Sequence, residues 1–269
     1  MNTRWRSFGS GVGRVAALIA LSVLALQLYF FARIALMAIV NPQSTTFQRS
    51  EITRLVSESL VNNRHQVLWA EEWVDYAQIS DHLKRAVIAS EDAGFVDHGG
   101  VEWDAIESAW DRNQRSVNSA EKRKQKAASK PGAAVKPGAT VKPAVEPKLV
   151  GGSTITQQLA KNLFLGPERN LPRKLQEFAI TFMLEAMLSK QRILEIYLNN
   201  VEWGEGVFGA EAAAQYYFRT RAASLSPAQA ARLAVMLPAP KRFEKRPDSG
   251  YVVGRSATVL TRMSAVELP

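Results

Sequence analysis

Gly151-Gly152-Ser153-Thr154-Ile155-Thr156-Gln157-Gln158-Leu159-Ala160-Lys161-Asn162 sets two glycines and two hydroxyl residues ahead of a helical pattern. Ile155, Leu159 and Leu163 recur at the spacing of one helix face. A helix start of this kind carries backbone N–H groups with no intrahelical partner, and together they favour an anion. Gln158, Lys161 and Asn162 follow about one turn later on adjoining faces, within reach of the same ligand. A structural N-cap accounts for Ser153. It does not account for so many polar groups in a helix with few apolar positions.

Downstream, the chain is dense in helical signals. Pro172 opens a helix with Leu175, Phe178, Ala179, Phe182, Met183 and Ala186 on one face. Further helices are predicted over residues 190–199, 209–218, 226–237 and 251–263. Strand-like alternation is scarce, so the expected domain is mainly α. Arg169, Arg173 and Lys174 precede Glu177, and the last three can share one helix edge. Alone, this is either a surface ion-pair ladder or, with Lys161, a cluster whose forked arginines suit a diphosphate.

Upstream, Ser80 caps a helix that runs through Leu83, Ala86, Val87 and Ile88 into Glu91-Asp92. A glycine-rich loop with Phe95 and His98 follows. An acidic pair at the negative end of a helix raises a carboxyl pKa and suits acid–base work. A solvated acidic turn gives the same sequence. Walker, His-Glu-x-x-His and Gly-x-Ser-x-Gly patterns are absent, and His65, His82 and His98 form no ligand spacing. With no cysteine, disulfides, thiolate metal sites and a cysteine nucleophile are excluded.

The formal charge is +9, which invites a nucleic-acid reading, but its distribution speaks against one. Residues 1–50 carry five arginines and no acid, and residues 111–150 carry ten basic and three acidic residues. These two blocks exceed the whole net charge, so the rest of the chain is acidic on balance. Residues 15–40 read as a membrane anchor, and Arg33 is placed to snorkel at its far end. Arg4, Arg6 and Arg14 put residues 1–14 in the cytoplasm by the positive-inside rule, and residues 41–269 on the other side. Between about 112 and 148 the chain is Lys, Ala, Pro and Ser with a weak Lys-Pro repeat. That composition predicts a disordered insertion or, more specifically, a cationic arm on anionic lipid or polymer.

Taken together, the motifs resemble those of peptidoglycan glycosyltransferases, glycosyltransferase family 51. Glu91-Asp92-x-x-Phe95-x-x-His98 resembles the family's first motif and residues 151–162 its second. Arg169-x-x-x-Arg173-Lys174-x-x-Glu177 is similar to the third, and Lys190-x-x-Ile193-Leu194-Glu195-x-Tyr197-Leu198-Asn199 to the fourth. Leu233-Ala234-x-x-Leu237-Pro238-x-Pro240, with Arg242-Phe243, resembles the last. The likeness is to the monofunctional, membrane-anchored members. Glu102 stands where they usually have Asp, and the basic insertion lengthens the stretch between the first two motifs.

The resemblance implies a lysozyme-like, mostly α domain behind a single anchor, polymerising lipid II into β-1,4-linked glycan with inversion and release of undecaprenyl diphosphate. It implies Glu91 as base and Glu177 near the leaving diphosphate, with Lys161, Arg169, Arg173 and Lys174 meeting its charge. Ser153, Thr154, Gln158 and Asn162 would position the donor, with Asp92, Phe95 and His98 in support. No cofactor is required, though a divalent cation (Mg or Mn) at the diphosphate is compatible; no metal cage is expected. Expected partners are lipid II, the lipid-linked glycan strand, the membrane, and division or transpeptidase proteins, but no nucleic acid. The bacterial inner membrane, with the catalytic domain periplasmic, is the expected location. An apolar lip is expected between Trp69 and Tyr76. A lysozyme-like hydrolase and a non-catalytic wall scaffold remain the competing readings.

Overall fold

The computed structural model describes residues 3–62, 67–128, 152–166, 168 and 170–269. The helices before the basic insertion are α1 (Thr3–Leu36), α2 (Thr46–Val61), α3 (Asp81–Glu91) and α4 (Trp103–Ala128). After it come α5 (Ile155–Phe164), α6 (Leu171–Met187), α7 (Lys190–Asn200), α8 (Ala210–Phe218), α9 (Pro227–Met236), α10 (Pro240–Glu244) and α11 (Gly250–Arg262). Three very short strands, β1 (Ala70–Glu71), β2 (Glu202–Gly204) and β3 (Val207–Phe208), form a sheet of order β1-β3-β2. β1 runs parallel to β3, and β2 antiparallel to it. The domain is therefore mainly α, as the periodicity predicts.

Local capping starts five of these helices where the sequence says. Ser80, Asn170, Ser189, Ser226 and Ser249 each accept a backbone N–H at a helix start. The apolar face of α3, with Leu83, Ala86, Val87 and Ile88, is buried against α9 and α11. α5 packs on α6 and α7 through Ile155, Leu159 and Leu163. Trp203, Tyr197, Phe95 and Phe208 are the largest fully buried side chains. α3 and α5 are thus held rigidly by one core.

Two expectations need correction. The segment predicted to be a disordered insertion from about residue 112 is helical in its first part, because α4 continues to Ala128. Its Ala, Lys, Arg, Glu and Gln are good helix formers, and its first proline is Pro131. The Lys-Pro repeat beyond it lies outside the described residues. The segment from Trp69 to Tyr76 is no apolar lip either. Trp69 packs on Phe208 with ring centres 4.8 Å apart, and Val74 exchanges two 2.9 Å bonds with the Asn199 side chain. α6 and α4 carry exposed large apolar residues of their own, among them Leu171, Leu175, Phe182, Trp103 and Trp110.

Residues 13–36 of α1 are long and apolar enough to cross a membrane, and little of that stretch is buried. Its C-terminal turns nevertheless dock on the domain. Phe30 meets Phe164 edge-on at 5.2 Å, Ile34 is fully buried, and Arg192 Nε donates to the Met37 carbonyl at 2.8 Å. Arg33 folds back one turn to donate to the Tyr29 hydroxyl at 3.0 Å rather than reaching outward.

Candidate active site

Glu91 is the last residue of α3, and Asp92 is its C-cap, so both carboxylates stand at the negative end of the helix. Their partners differ. Glu91 Oε2 accepts from Gln158 Nε2 at 3.0 Å, and Gln158 Oε1 accepts from the Tyr197 hydroxyl at 3.0 Å. Burial pushes the Glu91 carboxyl above its ordinary value. Gln158 and Ser90 pull it down, Asp92 pushes it up, and Arg255 pulls it down. Tyr197 is fully buried, and its phenol is raised by burial and by the charges of Glu91 and Asp92, so it serves as a donor to Gln158.

Asp92 is committed to the fold. Oδ1 lies 2.7 Å from His98 Nε2, and Oδ2 accepts the Ile155 backbone N–H at 3.0 Å. His98 Nδ1 accepts from Gly100 N at 3.1 Å, so the ring proton sits on Nε2 and points at Asp92. This corrects the expected ligand site at the start of α5. The Ile155 N–H is met by the chain's own Asp92, and Gln157 N by Thr154 Oγ1. Thr154, not Ser153, is the N-cap. Its hydroxyl also donates to Gly100 O at 2.6 Å, which turns it away from any substrate. Gly100 has φ +85, and a Cβ there would stand 2.7 Å from Thr181 Cγ2, so this turn requires glycine.

A second network braces the same loop. Lys190 Nζ donates to His98 O at 2.6 Å and to Glu185 at 2.9 Å, and it lies over the Phe95 ring at 4.6 Å. Thr156 donates to the same Glu185 oxygen at 2.6 Å. Phe95 is buried to 0% exposure and anchors the loop in the core. Of these, Thr156 and Glu185 escaped the sequence reading, as did Arg255; they meet the site only through tertiary contact.

Glu177 forms a separate centre on α6. It is 4% exposed, receives Arg173 Nη1 on Oε2 at 2.8 Å, and contacts the Lys174 ammonium through Oε1. Two cations share one carboxylate, leaving one positive charge over. Arg173 Nε is buried and, among the described residues, has no hydrogen-bond partner. A buried donor beside excess positive charge is prepared for an anion. Ser153 and Lys161 are exposed, and Asn162 is half-buried; Lys161 and Asn162 belong to α5, which packs on α6. Arg169 lies outside the described residues. α5 therefore links the Glu91 centre, through Gln158, to the helix that carries Glu177.

Asp92, His98 and Glu102 bring their ligand atoms within 4.8 Å of one another. Two of the three already bond each other, and Asp92 also caps α5. The Glu177 centre is cationic. Neither donor set fits a resident divalent ion.

This arrangement can be set beside known proteins. The family model described as Transglycosylase matches residues 59–128 and 137–264. A biosynthetic peptidoglycan transglycosylase of Cupriavidus metallidurans is 48% identical over 270 residues, covering 99% of each chain. Relatives of the same name from Paraburkholderia xenovorans and Ralstonia nicotianae are 48% and 49% identical. They cover 95% and 96% of this chain, and 92% and 98% of their own. The mainly α domain is thus a lysozyme-like glycosyltransferase domain, and its activity is glycosyl transfer in cell-wall synthesis. With two carboxylates held in separate surroundings, an apolar N-terminal helix and matches along nearly its whole length, the chain belongs to the peptidoglycan transglycosylase family.

Proposed function

We propose that Glu91 is the general base and that Glu177, Arg173 and Lys174 hold the leaving diphosphate during polymerisation of lipid II. The acceptor 4-hydroxyl attacks the anomeric carbon of the lipid-linked donor. Its proton passes to the Glu91 carboxylate, and the carbon–oxygen bond to the diphosphate breaks with the electron pair leaving on oxygen. Attack and departure on opposite faces invert the α-linked donor to a β-1,4 bond, with a separate group serving each face. The observation that carries this reading is the buried, unpartnered Arg173 Nε beside Glu177. It is a donor held ready where negative charge develops. Gln158 orients Glu91, while Ser153, Lys161, Asn162 and Arg169 contact the donor. Thr154, Asp92, Phe95 and His98 hold the loop.

The apolar N-terminal helix and its three flanking arginines support a topology with residues 1–14 in the cytoplasm and the catalytic domain on the outer side of the inner membrane, beside its lipid-linked substrate. Transpeptidase or division proteins are the partner class that would use the product. Incubating the full chain with lipid II in proteoliposomes tests the reaction: glycan polymer is expected. Muropeptides released from purified sacculi, with no polymer from lipid II, would establish a hydrolase instead.

A further inference from the structure

α1 and α6 are joined by a reciprocal pair of amides. Gln27 Nε2 donates to Gln176 Oε1 at 2.9 Å, and Gln176 Nε2 donates to Gln27 Oε1 at 3.1 Å. Counting from Arg14, a hydrocarbon core of about 30 Å is crossed in about 20 residues, near Ile34. Gln27 lies about 10 Å short of that exit at 1.5 Å per residue. The catalytic domain therefore touches its anchor at a level inside the outer leaflet. A lone amide there would be costly, because no water is present to satisfy it. The pairing answers one donor and one acceptor on each side chain, and it fixes a register that apolar packing alone would let slide.

The outward surface of α6 fits that depth. Leu171, Leu175, Phe178 and Phe182 recur at intervals of four, three and four residues, so they form one stripe. Leu171 is 72% and Leu175 61% exposed. Gln176, which meets α1, lies about a quarter-turn round the helix from Leu175. Trp103 stacks on Phe178 at 6.3 Å, and Lys174 lies over the Phe178 ring at 5.0 Å. The stripe lies on the helix that Gln176 joins to the membrane helix, at the depth of that junction, so acyl chains are its occupant.

We propose that the Gln27–Gln176 pair sets the depth and rotation at which α6, and with it the neighbouring Glu177, enters the outer leaflet. Gln27 is a positioning residue: it touches no substrate and acts through α6. The inference rests on the transmembrane reading of α1.

The test uses the full chain in proteoliposomes. Because the chain has no cysteine, Leu175→Cys gives a single site for a bimane label. Quenching by spin-labelled lipids reports its depth. The label is expected several ångströms inside the hydrocarbon, and Gln27→Leu should move it toward the surface. The same substitution should raise KM for bilayer lipid II about fivefold with kcat within about twofold, while Tm and activity in detergent micelles hold. Gln176→Leu should match it, and the double variant should be no worse than either single one. Unchanged depth and KM in Gln27→Leu would overturn the proposal, as would equal losses in micelles and bilayers. Recovery of the unsubstituted chain in an alkaline supernatant would instead overturn the transmembrane reading beneath it.

Discussion

Gln158 of α5 holds Glu91 of α3 at 3.0 Å and is itself held at 3.0 Å by Tyr197 of α7. The candidate base is therefore fixed by a chain of neutral donors rather than by a cation. Neutral donors orient a carboxylate without suppressing its basicity as a salt bridge would.

Replacing Glu91 with Gln keeps the size and the contact region of the side chain and removes the proton acceptor. Polymerisation of lipid II should fall by about a thousandfold, within the range for general-base loss. Binding of lipid II to the proteoliposomes should persist. Wild-type turnover by this variant would refute the base assignment.

The pH profile has a defined sign. Glu91 acts as a base only when ionised, and burial raises its pKa. On lowering the pH, activity should therefore begin to fall at a higher pH than an ordinary glutamate would give. The Gln158 bond lowers that pKa, so Gln158→Leu should move the acid limb of kcat/KM to higher pH. An acid limb that stays in place would mean that Gln158 does not act on Glu91.

Arg173→Ala removes a donor aimed at Glu177 and at the proposed diphosphate. About a hundredfold loss in kcat is expected, the scale for one donor to developing charge. Arg173→Lys should recover little, because a single ammonium replaces a fork. Steady-state glycan synthesis decides this, with Tm measured alongside to confirm the fold.

Away from the site, Glu202 of β2 is 7% exposed, and burial raises its carboxyl to about 7 from 4.5. Lys241 stands 3.4 Å from it, opposing that rise, and Glu51 adds to it. Between those two values the folded state holds more protons than the unfolded chain. Stability should therefore decline as pH rises through that window. Glu202→Gln should flatten the decline, giving a higher Tm than wild type at pH 8 and little difference at pH 4. Thermal unfolding across that range checks it.

What the sequence showed and what it hid follow from distance along the chain. Ser80, Pro172 and Ser226-Pro227 announce their helices because capping acts within a few residues. The Arg173–Glu177 and Lys174–Glu177 pairs were legible from their helical spacing, whereas the Glu91–Gln158 contact, sixty-seven residues apart, was not. Asp92 capping α5 was illegible, because it pairs a carboxylate with a backbone N–H sixty-three residues away. The two-residue parallel pairing of β1 with β3 carries too short a pattern to be read at all. The helix across the basic segment was hidden by composition: Lys and Ala serve a solvated coil and a helix equally well, and only the proline positions separate them.

Gly152 lies against the backbone of Ala105, where an added Cβ would stand 3.1 Å from the carbonyl oxygen. The stretch carrying α4 and the Lys-Pro repeat is thus pinched shut at its base. The spacing between the Glu91 loop and the first turn of α5 does not depend on how many residues lie beyond the pinch. Evolution was free to lengthen this excursion without retuning the catalyst, and the same neck offers a place to graft a reporter domain onto a working polymerase.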